Sequence, residues 1–423
     1  MPLIEGRLYR KIDKSLLLAV FVLMAFSLAA IYAATSVRGG GMGQALRQGI
    51  YFAVGLGVCA LVASRDYANL PRYVPYLYAI NIGLLIAVEL FSPEVKGAAR
   101  WIKLPIPGMD FKLQPSEFAK VFLILYLAKC LAQRPRIAHQ PLTAGLWSLV
   151  IVPVATILAV EKEPDLGTAI TLFGAALLML FTGGVKKRWI AAALAGAFLA
   201  GLFLSLAKGT DNYRWKRIET FLNPDADVKG AGWQVKRGTI ALGTGGITGL
   251  GLGESREKFP GNLPAQRTDF VFAILGEEFG FVGTTITITL LFGLIARGYH
   301  IAGRSKDPFG SLLATGITSI IAVQAFENMA VVTGVIPATG IPLPFLSYGG
   351  SSLVATLGSI GVLLNISQHP FRRDPREMAR ELRRVADESE ARASASLPAP
   401  GANAWRSPVS GRHGMVVGPE VRN

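Results

Sequence analysis

A carboxylate at residue 269 stands where two contrasting stretches of this chain meet. It lies in Pro264-Ala265-Gln266-Arg267-Thr268-Asp269-Phe270, between a long basic segment and an apolar run that starts at Phe270. There an aspartate either caps the helix that follows or, at an apolar–polar boundary, accepts a proton from a substrate hydroxyl. Other ionisable residues fall inside or beside apolar runs, where hydrocarbon makes them costly and function or pairing must explain them. Glu117 and Lys120 stand three apart in Gln114-Pro-Ser-Glu-Phe-Ala-Lys120. On a helix they share a face and pair, either as a structural ion pair or as the wall of a polar cavity. Glu161, Lys162, Glu163 and Asp165 crowd one short loop, and Asp165 either caps the next helix or faces a substrate or a cation. Glu277 and Glu278 are adjacent within an apolar run. Neighbouring helical residues diverge by about 100°, so at most one is expected to face a given cavity, and a structural polar contact is the expected role.

The elements that must hold these groups follow from composition. The chain has 423 residues, 51% hydrophobic and 17% charged, with a mean hydropathy of +0.42. A soluble domain of this size carries about 25% charged residues, so much of this surface does not face water. Apolar runs long enough to span a bilayer are read near residues 16–35, 45–63, 73–91, 115–132, 145–160, 167–184, 189–207, 270–296, 310–333 and 349–366; the fifth, broken by Pro153, is the weakest. Short basic loops at 65–72, 129–136, 186–188 and 297–306 all fall on one side, which the positive-inside bias makes cytoplasmic. The expected fold is an all-α polytopic membrane protein of about ten transmembrane helices, both termini inside. Its expected segments are a cytoplasmic N-terminus (1–15), a membrane domain (16–368), a charged cytoplasmic helix (369–393) and a disordered tail (394–423).

An outward loop of about 208–268 separates the seventh and eighth runs. It is too long to be a simple turn, and amphipathic pieces are expected at Tyr213–Leu222 and Trp233–Leu242. It carries Arg214, Lys216, Arg217, Lys229, Lys236, Arg237, Arg256, Lys258 and Arg267. These make either a solvated face or a surface for an anion, phosphate above all.

Several function classes drop out. The net charge of +15 suggests nucleic acid, yet the basic residues sit where membrane orientation places them, so no nucleic acid partner is expected. No P-loop or zinc motif occurs, the four histidines are scattered, and Cys59 and Cys130 both lie in apolar stretches. No repeat of 20–50 residues is visible.

The segment Asn328-Met-Ala-Val-Val-Thr-Gly-Val-Ile-Pro-Ala-Thr-Gly-Ile-Pro-Leu-Pro-Phe-Leu-Ser-Tyr-Gly-Gly-Ser-Ser352 resembles the signature of the SEDS family, which includes FtsW, RodA and SpoVE. Gly97-Ala-Ala-Arg-Trp101, Gln114–Lys120, Pro164-Asp-Leu-Gly-Thr168 and Thr268-Asp-Phe-Val-Phe272 continue the resemblance in order. The resemblance implies a peptidoglycan polymerase that transfers glycan between lipid II-type undecaprenyl-diphosphate substrates with inversion. It implies Asp269 as general base on the acceptor 4-hydroxyl. On the matched segments it implies Arg100, Trp101, Glu117, Lys120, Asp165, Arg267 and Ser347 as substrate-binding residues. Basic groups or a divalent cation (Mg2+ or Mn2+), the one cofactor considered, would stabilise the diphosphate leaving group, and the resemblance implies as partners a class B penicillin-binding protein, the nascent glycan and other division proteins. The implied location is the bacterial inner membrane, at the septum.

Two departures stand out. Glu163 replaces the usual glutamine, and Arg267 takes a position often held by histidine, where it either binds diphosphate or lowers the pKa of Asp269. Gly249–Lys258 and Leu363–Gln368 resemble the division-type FtsW branch more than RodA. The alternatives are an elongation-type polymerase, a flippase for the lipid-linked precursor, and an inert scaffold.

Overall fold

A computed structural model describes residues 12–36, 41–91, 100–103, 112–133, 144–162, 165–207, 213–223, 230–259, 263, 265–369 and 387–388. The chain divides into two units, Met1–Arg372 and Arg373–Asn423. Of the second unit, Asp387 and Glu388 are described and helical. The rest of the charged helix expected at 369–393, and the tail, lie outside the described residues.

The helices are α1 (Lys14–Thr35), α2 (Gly41–Ala63), α3 (Leu70–Phe91), α4 (Pro115–Gln133), α5 (Ala144–Lys162), α6 (Leu166–Thr182), α7 (Lys187–Ala207), α8 (Tyr213–Leu222), α9 (Ala231–Thr244), α10 (Val271–Arg304), α11 (Pro308–Val332) and α12 (Gly350–Gln368). Each apolar run read from the sequence forms one long helix, and α5 continues through Pro153. Five helices (α1, α2, α10, α11 and α12) are long and apolar enough to cross a membrane. The amphipathic α8 and α9 fall in the long loop, as expected. The described residues also contain a two-stranded antiparallel ribbon, β1 (Ile102–Lys103) against β2 (Lys112–Leu113), that an all-helical reading lacks.

Burial runs opposite to that of a soluble protein. Tyr76, Phe198 and Phe292 lie on the outside, while polar side chains such as Gln324, Glu327 and Asn328 on α11 are inside. Apolar side chains can face lipid without cost, whereas polar groups must find partners within the protein. Local sequence signals set the helix starts. Asp13 caps α1 by accepting from Leu16 N at 3.1 Å and also receives Arg297 Nε at 2.6 Å, joining the start of α1 to the end of α10.

α10 is two helices joined at a kink. Gly280 breaks it with φ 65° and ψ −160°, a conformation open to glycine and strained for other residues. Glu277 and Glu278 make structural polar contacts, as expected. Both carboxylates meet the same external segment, 253–258, because that segment wraps round the interrupted helix end.

Candidate active site

The turn bearing Asp269 is held by its backbone. Three successive carbonyls, at 267, 268 and 269, each accept from a different donor: Tyr348 N at 2.8 Å, Ser347 Oγ at 2.6 Å and Asn328 Nδ2 at 2.7 Å. All three donors come from the Asn328–Ser352 segment that carried the family resemblance. Asn328 gives a second proton to Ile341 O at 2.7 Å, so one amide joins the turn to the loop that follows α11. The side chain of Asp269 does not cap α10, whose N-cap is Phe270 without a side-chain hydrogen bond. Its carboxylate is therefore held in place without being used up by the fold.

That carboxylate is poised near neutrality. Burial, then the negative Asp165 nearby, push its pKa up to about 6, against the opposing pull of the Thr268 hydrogen bond, Arg217 and Arg100. A base is most useful when its pKa lies close to the working pH. Gly340 leaves the approach open. Its φ is +81°, and a Cβ there would stand 3.7 Å from Asp269 Oδ2. Arg217, from α8, donates to Ala338 O, which sets a guanidinium beside the same loop.

Asp165 does two jobs. It caps α6 through Thr168 N at 3.3 Å and Thr168 Oγ1 at 2.9 Å. It also accepts from Gln114 Nε2 at 3.2 Å and Ser116 Oγ at 3.3 Å, at the start of α4. Behind it, Lys120 pairs with Glu117 at 2.9 Å, both buried, and donates to Gln324 Oε1 at 3.0 Å. Gln324 in turn donates to Pro342 O at 2.9 Å. A cavity lined by Glu117, Lys120, Ile317, Ile321, Gln324 and Pro344 opens against this pair, so the pair is both a structural tie and a cavity wall.

The expected site residues thus separate. Asp269, Asp165 and Arg100 come together electrostatically. Ser347, expected to bind substrate, is buried with its hydroxyl committed to Leu343 N (2.7 Å) and Thr268 O; it acts through the turn. Arg267 is exposed and lies 5.1 Å from the Tyr348 ring, a cation–π contact. Trp101 is half-buried at the start of β1. Gly97–Ala99, Glu163 and Lys229 lie outside the described residues.

Sequence reading missed Glu327. It is buried on α11 and accepts from Thr171 Oγ1 at 2.8 Å. The rule that singled out Glu117, an ionisable group inside an apolar run, applies equally to it. Arg217 was noted only as one of many loop cations; nothing in its spacing marks it as the one that reaches the site.

Among the described residues no cluster of three or more His, Cys, Asp or Glu could hold a metal ion.

A family model described as the FtsW/RodA/SpoVE cell cycle protein matches residues 12–371. A probable peptidoglycan glycosyltransferase FtsW of Trichlorobacter lovleyi is 41% identical over 364 residues, 84% of this chain and 93% of that protein. The stage V sporulation protein E of Bacillus subtilis is 38% identical over 358 residues, 84% of this chain and 94% of that one. Among solved structures, a chain from work on a peptidoglycan synthase complex that coordinates polymerization and crosslinking superimposes with a TM-score of 0.71. That chain is 26% identical, and the match covers 85% of this chain and 98% of that one. The similarity runs through the helical unit and includes the turn that holds Asp269, and the chain belongs to the FtsW/RodA/SpoVE family.

Proposed function

We propose that this multi-pass membrane protein is a peptidoglycan glycosyltransferase of the division-type branch, with Asp269 as its general base. One observation carries the assignment of the base: a carboxylate fixed through three backbone carbonyls, unspent on capping, with a pKa raised to about 6. The acceptor's sugar 4-hydroxyl would give its proton to Asp269 as its oxygen bonds to the donor's anomeric carbon. The bond from that carbon to the lipid diphosphate breaks in the same displacement, and the electron pair leaves with the diphosphate, giving inversion. Arg100 and Arg217, which act electrostatically on Asp269, are the cations suited to the developing charge. A divalent cation, Mg2+ or Mn2+, would add charge stabilisation to the leaving diphosphate.

In this reading all ten long helices span the membrane, both termini are cytoplasmic, and α8, α9 and the 245–270 segment form an outward cap. The lipid tails of both substrates remain in the bilayer while their head groups reach the turn from outside. The solved complex that links polymerization to crosslinking supports a class B penicillin-binding protein as partner. The branch assignment supports a septal location in the inner membrane with other division proteins.

The test uses the purified protein with its partner transpeptidase and labelled lipid II. Glycan polymer should form, and should vanish in Asp269→Asn while partner binding survives. Full polymerisation by that variant would remove Asp269 from the mechanism.

A further inference from the structure

The break in α10 is bridged by an external segment in a way the proposed chemistry does not yet use. In an unbroken helix the N–H groups of residues 281 and 282 would donate to the carbonyls of 277 and 278. Here Phe281 N donates to Gly246 O at 2.9 Å and Val282 N to Ile247 O at 3.1 Å, while Glu277 O and Glu278 O accept from Leu250 N and Gly251 N, both at 3.0 Å. The two missing helical bonds are replaced by four bonds to one loop, which pairs these backbone groups within the protein.

The side chains repeat the pattern. Glu277 accepts from the Ser255 hydroxyl, from Arg256 N at 2.8 Å and from Glu257 N at 3.3 Å. Glu278 accepts from Gly253 N at 3.1 Å and Ser255 N at 3.4 Å, and lies 3.9 Å from Lys258 Nζ. Both glutamates are buried. A burial this costly needs compensation, and here the two carboxylates meet one loop of backbone N–H groups.

This loop continues into the base. It leaves α9, whose Gly238 is so close to Phe270 that a Cβ would stand 2.9 Å from the ring, and Phe270 is the residue after Asp269. Lys258 ties its other end to Ser36 at the end of α1, at 3.1 Å. The turn at 265–270 follows a few residues later, and Gln266 donates to Ala34 O at 2.9 Å. The helix piece 271–279 is therefore held at one end by the loop that receives the glutamates and at the other by the turn at 265–270.

We infer that Glu277 and Glu278 are positioning residues for Asp269: their clasp on segment 250–258 fixes the piece of α10 on which the base is mounted. The inference rests on the reading of Asp269 as base, and its test includes a measurement independent of that reading. The variants are Glu277→Gln, which keeps size and one acceptor but loses the charge, and Ser255→Ala, which removes one hydroxyl donor and spares the backbone bonds. Steady-state polymerisation is measured in each with labelled lipid II. In parallel, Thr268→Cys is placed in a Cys59→Ala background, and its labelling by a charged thiol reagent is read by mass spectrometry beside that of the native Cys130, remote on α4. For Glu277→Gln the expected fall in kcat is on the order of tenfold, since small misplacements of a catalytic group are costly, with KM little changed. Labelling at 268 should quicken while labelling of Cys130 does not, and Ser255→Ala should show the same pattern more weakly. Unchanged labelling at 268 in both variants would overturn the inference. So would equal acceleration at Cys130 or a change carried by KM. If Asp269→Asn proved fully active, the labelling result would still decide whether the clasp holds the turn.

Discussion

Asp269, on the turn that leads into α10, and the pair Glu277–Glu278, in that helix's first turns, are carboxylates close in the chain, yet their surroundings differ sharply. The glutamates receive backbone N–H groups, a hydroxyl and an ammonium from segment 253–258. Asp269 lies beside another negative charge, and the bonds that hold its turn end on its backbone. Donors that reach a buried carboxylate tie it into the fold. Residue type does not decide the outcome. What differs is how many donors reach each side chain: the glutamates collect several from one loop, while the hydrogen bonds from the 328–352 segment stop at the carbonyls behind Asp269.

The largest expected effect comes from removing the proposed base. Asp269→Asn should lower polymerisation by about 10²–10⁴-fold, the usual contribution of a general base, measured as polymer from labelled lipid II. It should also raise thermal stability by a few degrees. The sign follows from linkage. The folded pKa, about 6, lies above the ordinary 3.8, so the contribution of Asp269 to stability is complete below the ordinary value and is lost as pH rises through about 6. At neutral pH the charge is a cost that asparagine removes. A lowered melting midpoint would show that the side chain holds the fold together, and the contrast with the glutamates would collapse.

Next in size are the saturated pairs. Reversing either Glu117 or Lys120 alone breaks a buried ion pair and should cost about 3–5 kcal/mol. Reversing both should recover part of that loss in a thermal unfolding assay. Absence of any rescue would mean that Gln324 and Glu327, rather than the pairing, set the energy at this site.

A third effect sharpens the electrostatic side. Polymerisation should fall as pH drops through about 6, because the base must be ionised. In Asp165→Asn one negative neighbour is gone, so the Asp269 pKa falls and the acid limb of the rate profile moves to lower pH. A limb that stays in place would assign the raised pKa to burial alone. The smallest effect is expected at Gly340. Alanine there must adopt φ +81° and would sit 3.7 Å from Asp269 Oδ2. The backbone strain is about 1–2 kcal/mol, and the rate should drop several-fold with Asp269 still essential. Full activity of Gly340→Ala would show that the substrate approaches from another side.

Much of this molecule was legible in the sequence. Apolar runs of spanning length gave the helices, because in hydrocarbon the backbone must satisfy itself within each segment. The three-residue spacing of Glu117 and Lys120 gave their contact, since it lies within one helical turn. Asp269 stood out because a carboxylate where loop meets apolar run needs a reason to be there. These signals are local or compositional, and a linear chain carries them. The tertiary structure alone decided the rest. The commitment of Ser347 to the turn, the reach of Arg217 and the burial of Glu327 against Thr171 join residues tens to hundreds of positions apart. That one loop would serve both Glu277 and Glu278 was likewise decided by the tertiary structure, because segment 253–258 wraps the helix that carries them. The sequence determined which groups could do chemistry in a membrane. Long-range hydrogen bonds, which no local pattern encodes, decided which of them was left free to do it.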